Sequence, residues 1–177
     1  MLAFALGACT YLLTYMPPGY RVSAENTQML RKNGGEHINV GPFKKTVKVE
    51  NECGITAGVI YMPGKIGFED YIRQGLIDEL KAAGMYDDAS PKITLSGTID
   101  RLSFFSRRHI YTSTWNIGIL FTSSNGQSVH LTDQYDFDVG EGSAADCQKV
   151  ADAYMIAVQK IIGKFFDAPE YQSLVTP

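Results

Sequence analysis

The pair Asn125-Gly126 stands between two runs in which apolar and polar residues alternate. Asn-Gly accepts the left-handed backbone that a tight turn demands, so alternating runs on either side of it read as an antiparallel hairpin. Before the turn, Trp115, Ile117, Ile119 and Phe121 share one face. After it, Val129, Leu131, Tyr135, Phe137 and Val139 share one face, with His130, Thr132, Gln134, Asp136 and Asp138 on the other. Asp133 alone interrupts the apolar side. A third run lies upstream, where Ile93, Leu95 and Ile99 alternate with Thr94, Ser96 and Thr98. After Arg101 its phase flips to Leu102 and Phe104, which predicts a bulge. Strands with one apolar face must bury that face against something else.

Two helical stripes supply the cover. Phe68, Ile72, Leu76, Leu80 and Ala83 recur at spacings of four and three, and Ile77 widens the stripe, predicting a helix over 68–83. Glu69 and Asp70 fall in its first turn, where the helix dipole favours acids, and Gly84 suits its C-terminal cap. Glu69, Arg73, Asp78, Glu79 and Lys81 are expected off the apolar face. A second, broader stripe runs from Cys147 through Val150, Tyr154, Val158, Ile161 and Ile162 to Phe165 and Phe166. It starts near Ser143, where Ser143 and Asp146 resemble a capping box, and Pro169 stops it. Upstream, Ile38 to Phe43 reads as a first strand with Ile38 and Val40 on one face. Val47 and Val49 give a weaker strand signal, and Ala24 to Lys32 a short helix. The order is β-α-β-β-β-α. It predicts an α+β two-layer sandwich, a mostly antiparallel sheet of about four strands covered by two helices.

With 177 residues the chain is expected to form one domain. The expected divisions are a signal remnant at 1–9, an irregular lead-in at 10–36, the α+β domain at 37–168 and a tail at 169–177. A net charge of −3 argues against a nucleic-acid partner, which would advertise a basic surface.

The N-terminus carries an address. The apolar run Leu2 to Leu6 leads into Gly7, Ala8 and Cys9. An apolar run, two small residues and a cysteine are the layout of a bacterial lipoprotein signal, with the Cys9 sulfur taking the lipid. No basic residue precedes Cys9, unlike a full export signal. The competing reading makes the uncharged stretch 1–16 a buried strand or a short membrane-associated segment.

Three cysteines are present. If Cys9 is lipidated, Cys53 and Cys147 remain, and in an oxidising compartment they can pair. The alternative is two buried thiols behaving as small hydrophobes.

Element order and spacing carry a resemblance over 38–166: the Leu6–Cys9 motif, the strand ending at Phe43, the helix closing on Ala83-Gly84-Met85, the strand Ile93–Ile99 and the hairpin with Tyr135-x-Phe137. The chain resembles the YajG-like outer-membrane lipoproteins and the auxiliary lipoproteins of envelope ABC transporters. It is more distantly similar to the lipopolysaccharide-assembly lipoprotein. The resemblance implies a lipid-anchored, palmitate-bearing protein on the periplasmic side of the outer membrane. It further implies an accessory to an assembly or transport complex with no chemistry of its own. Thr10, rather than Asp, follows Cys9, which by the same resemblance favours the outer membrane.

Little in the sequence points to catalysis. No phosphate loop, metalloprotease or nucleophile-elbow motif occurs. The sequence implies neither cofactor nor metal, and no small-molecule ligand is specified. Asp136, Asp138 and His130 share a strand face and are the candidates for acid/base work in a small periplasmic enzyme. Arg107, Arg108, Tyr111 and Trp115 mix basic and aromatic groups before the hairpin, and could meet a partner or a lipid phosphate. A structural subunit of a surface apparatus is the third reading.

Overall fold

The computed structural model describes residues 13–35, 37–53, 58–105, 112–140 and 143–177. Its main sheet has four strands in the order β2-β4-β5-β6, formed by β2 (Ile38–Lys45), β4 (Ile93–Phe105), β5 (Thr112–Ser123) and β6 (Ser128–Asp138). β4, β5 and β6 form the antiparallel meander, while β2 pairs with β4 in parallel. The covering helices are α2 (Phe68–Ala83) and α3 (Ser143–Asp167). This is the expected α+β two-layer arrangement.

Local chemistry explains these elements. The β5–β6 turn closes with Ser123 N–H donating to Gln127 O at 2.9 Å and Gly126 at φ +90°. The β4 phase flip is a register shift between Ile99 and Arg101, which leaves Asp100 as the extra residue of a bulge. Gly84 caps α2 at φ 79°, donating to Leu80 O and Lys81 O. The side chains of Ser143 and Asp146 lie outside those described, and with them the expected capping box.

The inner sheet face and the helices share one core, in which Trp115, Phe121, Tyr154, Phe165 and Phe166 are fully buried. The Phe121 and Phe165 rings stack at 4.1 Å, and the Phe68 and Tyr154 rings meet edge to face at 5.2 Å. Such aromatic pairs are worth about 0.5–1.5 kcal/mol beyond their area. The β2 edge is closed by α2: Arg73 donates from Nε to Gly41 O and from Nη2 to Val40 O, both at 2.8 Å. That covers carbonyls a bare edge would offer to another chain.

The expected short helix of the lead-in is present as α1 (Ala24–Asn33), which packs against both α2 and α3, and the lead-in also holds the unexpected β1 (Thr14–Tyr15). Ser23 caps α1 by accepting from Asn26 N–H. Val47 and Val49 form no strand; β3 (Val59–Ile60) forms instead and pairs in parallel with β1. The tail contains a short helix, α4 (Tyr171–Val175), with Tyr171, Leu174 and Val175 buried. Among the described residues, no helix is long and apolar enough to cross a membrane.

Candidate functional site

The described chain begins at Leu13, four residues after Cys9, and its first ten residues are fastened to the helix layer at several points. Tyr71 Oη donates to Pro18 O at 2.8 Å. Gln148 Nε2 donates to Met16 O at 3.1 Å, and Gln159 Nε2 to Arg21 O at 2.6 Å. These contacts hold the segment to α2 through Tyr71 and to α3 through Gln148 and Gln159.

The strongest fastening is Glu79, which is fully buried. Its Oε1 accepts from Tyr20 Oη at 2.8 Å, Ser23 N–H at 2.8 Å and Asn26 Nδ2 at 3.3 Å. Asn26 in turn donates to Gln159 O at 3.0 Å, linking α1 to α3. Oε2 is buried with no hydrogen-bond partner among the described residues. Burial pushes the Glu79 carboxyl above its ordinary value, against the pull of Ser23, Tyr20 and Asn26. Gly75 makes room for this network, since a Cβ there would meet the Tyr20 ring at 2.8 Å. The expectation that Glu79 lies off the apolar face is therefore corrected. Residues 72, 76, 79 and 83 follow helical spacing, so Glu79 sits within the stripe. That spacing was the available signal, and α1 with Tyr20 supplies the polar partners.

The two downstream cysteines meet beside the same seat. Cys53 and Cys147 are both buried, and Cys147 Sγ lies 3.6 Å from Cys53 O. No sulfur–sulfur bond joins them in this structure. Cys53 belongs to the β3 side, its N–H donating to Gly58 O at 3.0 Å, while Cys147 lies in α3.

Other candidates fall elsewhere. Cys9, Arg107, Arg108 and Tyr111 lie outside the described residues. Trp115 is not a surface contact: it is fully buried, its Nε1 donates to Val150 O at 2.8 Å, and Phe104 and Tyr154 lie 4.8 Å from its ring. Its place on the inward face of β5 outweighs its closeness in sequence to Arg107 and Arg108. The trio His130, Asp136 and Asp138 is not assembled. His130 Nε2 reaches Asp100 Oδ2 at 2.8 Å, using the β4 bulge. Asp136 Oδ1 accepts from Thr114 Oγ1 at 2.6 Å. Six residues along an extended strand separate His130 from Asp136 by about 20 Å. Among the described residues, no group of three or more His, Cys, Asp or Glu could hold a metal ion.

No known protein family matches the sequence, and no curated protein matches it. Solved structures do. A DUF330 protein from Xanthomonas campestris superposes with a TM-score of 0.56 at 12% identity, over 91% of this chain and 99% of that one. A candidate lipoprotein from Caulobacter crescentus is also similar, with a TM-score of 0.37 at 10% identity, over 81% of this chain and 96% of that one. At these identities the first match establishes a shared fold, and the second adds no argument.

Proposed function

We propose that this chain is a lipoprotein of the Gram-negative envelope, anchored through Cys9 on the periplasmic side of the outer membrane. Its domain binds a partner protein or lipid in an assembly or transport machine and carries out no chemistry. The observation that carries the reading is the seat of residues 13–23. A segment that starts four residues after the motif Leu6-Gly7-Ala8-Cys9 is built into the helix layer and locked on Glu79. A loose tether would let the domain tumble, whereas a docked one fixes which face a partner meets. The fold shared with the DUF330 protein and the resemblance to YajG-like and transporter-auxiliary lipoproteins support the same reading. The non-catalytic half of the proposal rests on how the candidate acid/base groups are engaged, with His130 held by Asp100 and Asp136 by Thr114.

Labelled palmitate should enter the wild type, and the labelled protein should fractionate with the outer membrane. The variant Cys9→Ser should take no label and leave the membrane fraction. Equal labelling of both forms overturns the anchor. Crosslinking in intact envelopes should then recover a partner with the wild type and lose it with Cys9→Ser.

A further inference from the structure

Five large apolar side chains are exposed among the described residues: Leu13 (53%), Met16 (51%), Val22 (42%), Tyr61 (44%) and Ile66 (42%). Single exposed apolar residues are ordinary and scatter over a surface. These do not scatter along the chain. Three lie on the segment that follows Cys9, and two lie just after β3, the strand that pairs with that segment.

The pairing brings two of them together. Thr14 lies opposite Val59 and Tyr15 opposite Ile60 in parallel register, and Tyr61 N–H donates to Tyr15 O at 2.9 Å. Ile60 is fully buried and Tyr15 packs on the core, so that side faces inward. Strand alternation turns Met16 and Tyr61 to the outward side together. Leu13 opens the same small sheet, and its carbonyl accepts from Val59 N–H at 2.9 Å. Lys65 is exposed between Tyr61 and Ile66, and Arg21 is exposed beside Val22. Apolar side chains, a tyrosine and flanking cations suit the boundary between lipid headgroups and acyl chains.

The chain itself says which surface this face meets. Four residue steps separate Cys9 from Leu13 and span at most about 14 Å. An acyl group on Cys9 would therefore hold Leu13 within that distance of the bilayer surface. The headgroup layer is itself roughly 5–8 Å thick on each side, and amphipathic elements bury about 5–10 Å into this region. We infer that the outward face of the β1–β3 sheet, with Met16 and Tyr61 on it and the exposed Leu13 at its start, seats into the lipid interface and holds the domain in one orientation on the membrane. The inference rests on the anchoring reading above and names the surface the anchored domain uses.

The experiment uses the full lipidated chain in vesicles of phosphatidylethanolamine and phosphatidylglycerol carrying acyl-chain bromine, a quencher of tryptophan. Met16→Trp and Tyr61→Trp place reporters on the seat, and Thr98→Trp and Thr114→Trp place them on the polar face of the main sheet. The buried Trp115 common to all is subtracted with the wild type. Each variant is first checked by thermal melting, and all four positions lie outside the core. The seat reporters should shift to the blue and lose roughly half of their emission, as expected for insertion at this depth. The sheet reporters should be unaffected. An acylated chain that floats with the vesicles but shows no quenching at Met16→Trp and Tyr61→Trp overturns this inference alone. A blue shift without quenching that grows with protein concentration means a second copy covers the face, and also overturns it. A chain found without acyl groups by mass spectrometry overturns the anchoring reading, and this inference with it.

Discussion

Glu79 shows how one buried carboxylate can organise a segment remote in sequence. Three donors converge on Oε1, and all three bonds are lost if the side chain is removed, Asn26 alone keeping a second acceptor in Gln159 O. Glu79→Ala should therefore cost about 2–4 kcal/mol, measured by chemical denaturation. Glu79→Gln keeps an acceptor for those donors, and should cost under about 1 kcal/mol at neutral pH. The pH dependence separates the two states of the acid. Burial raises the folded carboxyl above its unfolded value, so the folded state holds the proton more tightly. Stability from this group is fully present below the unfolded value near about 4.3 and is lost as pH rises through the folded one. Melting curves of the wild type should show this fall, and Glu79→Gln should flatten it. The cysteine pair makes a second prediction at this scale. Cys147 Sγ lies 3.6 Å from Cys53 O, so the two residues adjoin in the fold. Exchange with an oxidised dithiol in the periplasm should close a bond between them, leaving two thiols on the oxidant. In the exported Cys9→Ser chain, alkylation after denaturation should label neither cysteine before reduction and both after. Labelling of both before reduction refutes the bond. A closed loop of this length is worth roughly 4–5 kcal/mol in the chain-entropy model, so reduction should lower the melting temperature by about 10 °C.

At the scale of elements, two contacts carry consequences that sequence patterning does not display. Gly97 in β4 lies under the Phe43 ring, and a Cβ there would come within 2.4 Å of it. Phe43 in turn packs edge to face on Phe121, at 6.1 Å. Gly97→Val should thus pry β2 from β4 and cost about 2–3 kcal/mol, read as a lower denaturation midpoint. The short helix α4 is similarly committed. Ser123 Oγ donates to Leu174 O at 2.7 Å, and Asn125 Nδ2 donates to Thr176 O at 2.6 Å and to Ser173 O at 2.8 Å. The β5–β6 turn therefore holds the C-terminus. Truncation after Pro169 exposes the sites of Tyr171, Leu174 and Val175, each worth about 1.5–3 kcal/mol of burial. The truncated chain should melt well below the full one, and a melting temperature within about 2 °C would mean that α4 is dispensable.

On the scale of the whole molecule, the helix layer and the sheet face have different tasks. The helix layer receives the N-terminal segment, and with it the exposed apolar side chains beside that segment. The far face of the sheet is polar, with Thr94, Ser96, Thr98, Thr114, Asn116, Thr122 and Gln134 exposed or half-buried. Under the anchoring proposal, that face looks away from the bilayer and is open to a partner. The triple variant of His130→Gln, Asp136→Asn and Asp138→Asn should stay folded and, in a cell that needs this protein, leave the phenotype intact. If it reproduces a deletion while remaining folded, the binding reading fails and an enzyme takes its place.

Much of the fold was legible because it is periodic. The Asn125-Gly126 turn, the alternation through β4 to β6, the bulge after Ile99 and the stripes of α2 and α3 are all local patterns. Each forces one face inward wherever the chain is placed. The polar exceptions were a different matter. Asp133 breaks the inner face of β6, and only the tertiary structure brings Lys164 of α3 to within 3.5 Å of it. Glu79 occupies a core position of α2, yet nothing near it in sequence says that Tyr20, Ser23 and Asn26 arrive to bond it. Trp115 could be read as surface or core from its neighbours, and its burial was decided by α3 lying across β5. Periodicity reports which face is inside, because burying apolar area is non-directional and needs no particular partner. Satisfying a buried charge or amide needs a specific atom at about 3 Å, and that atom comes from wherever the fold returns the chain.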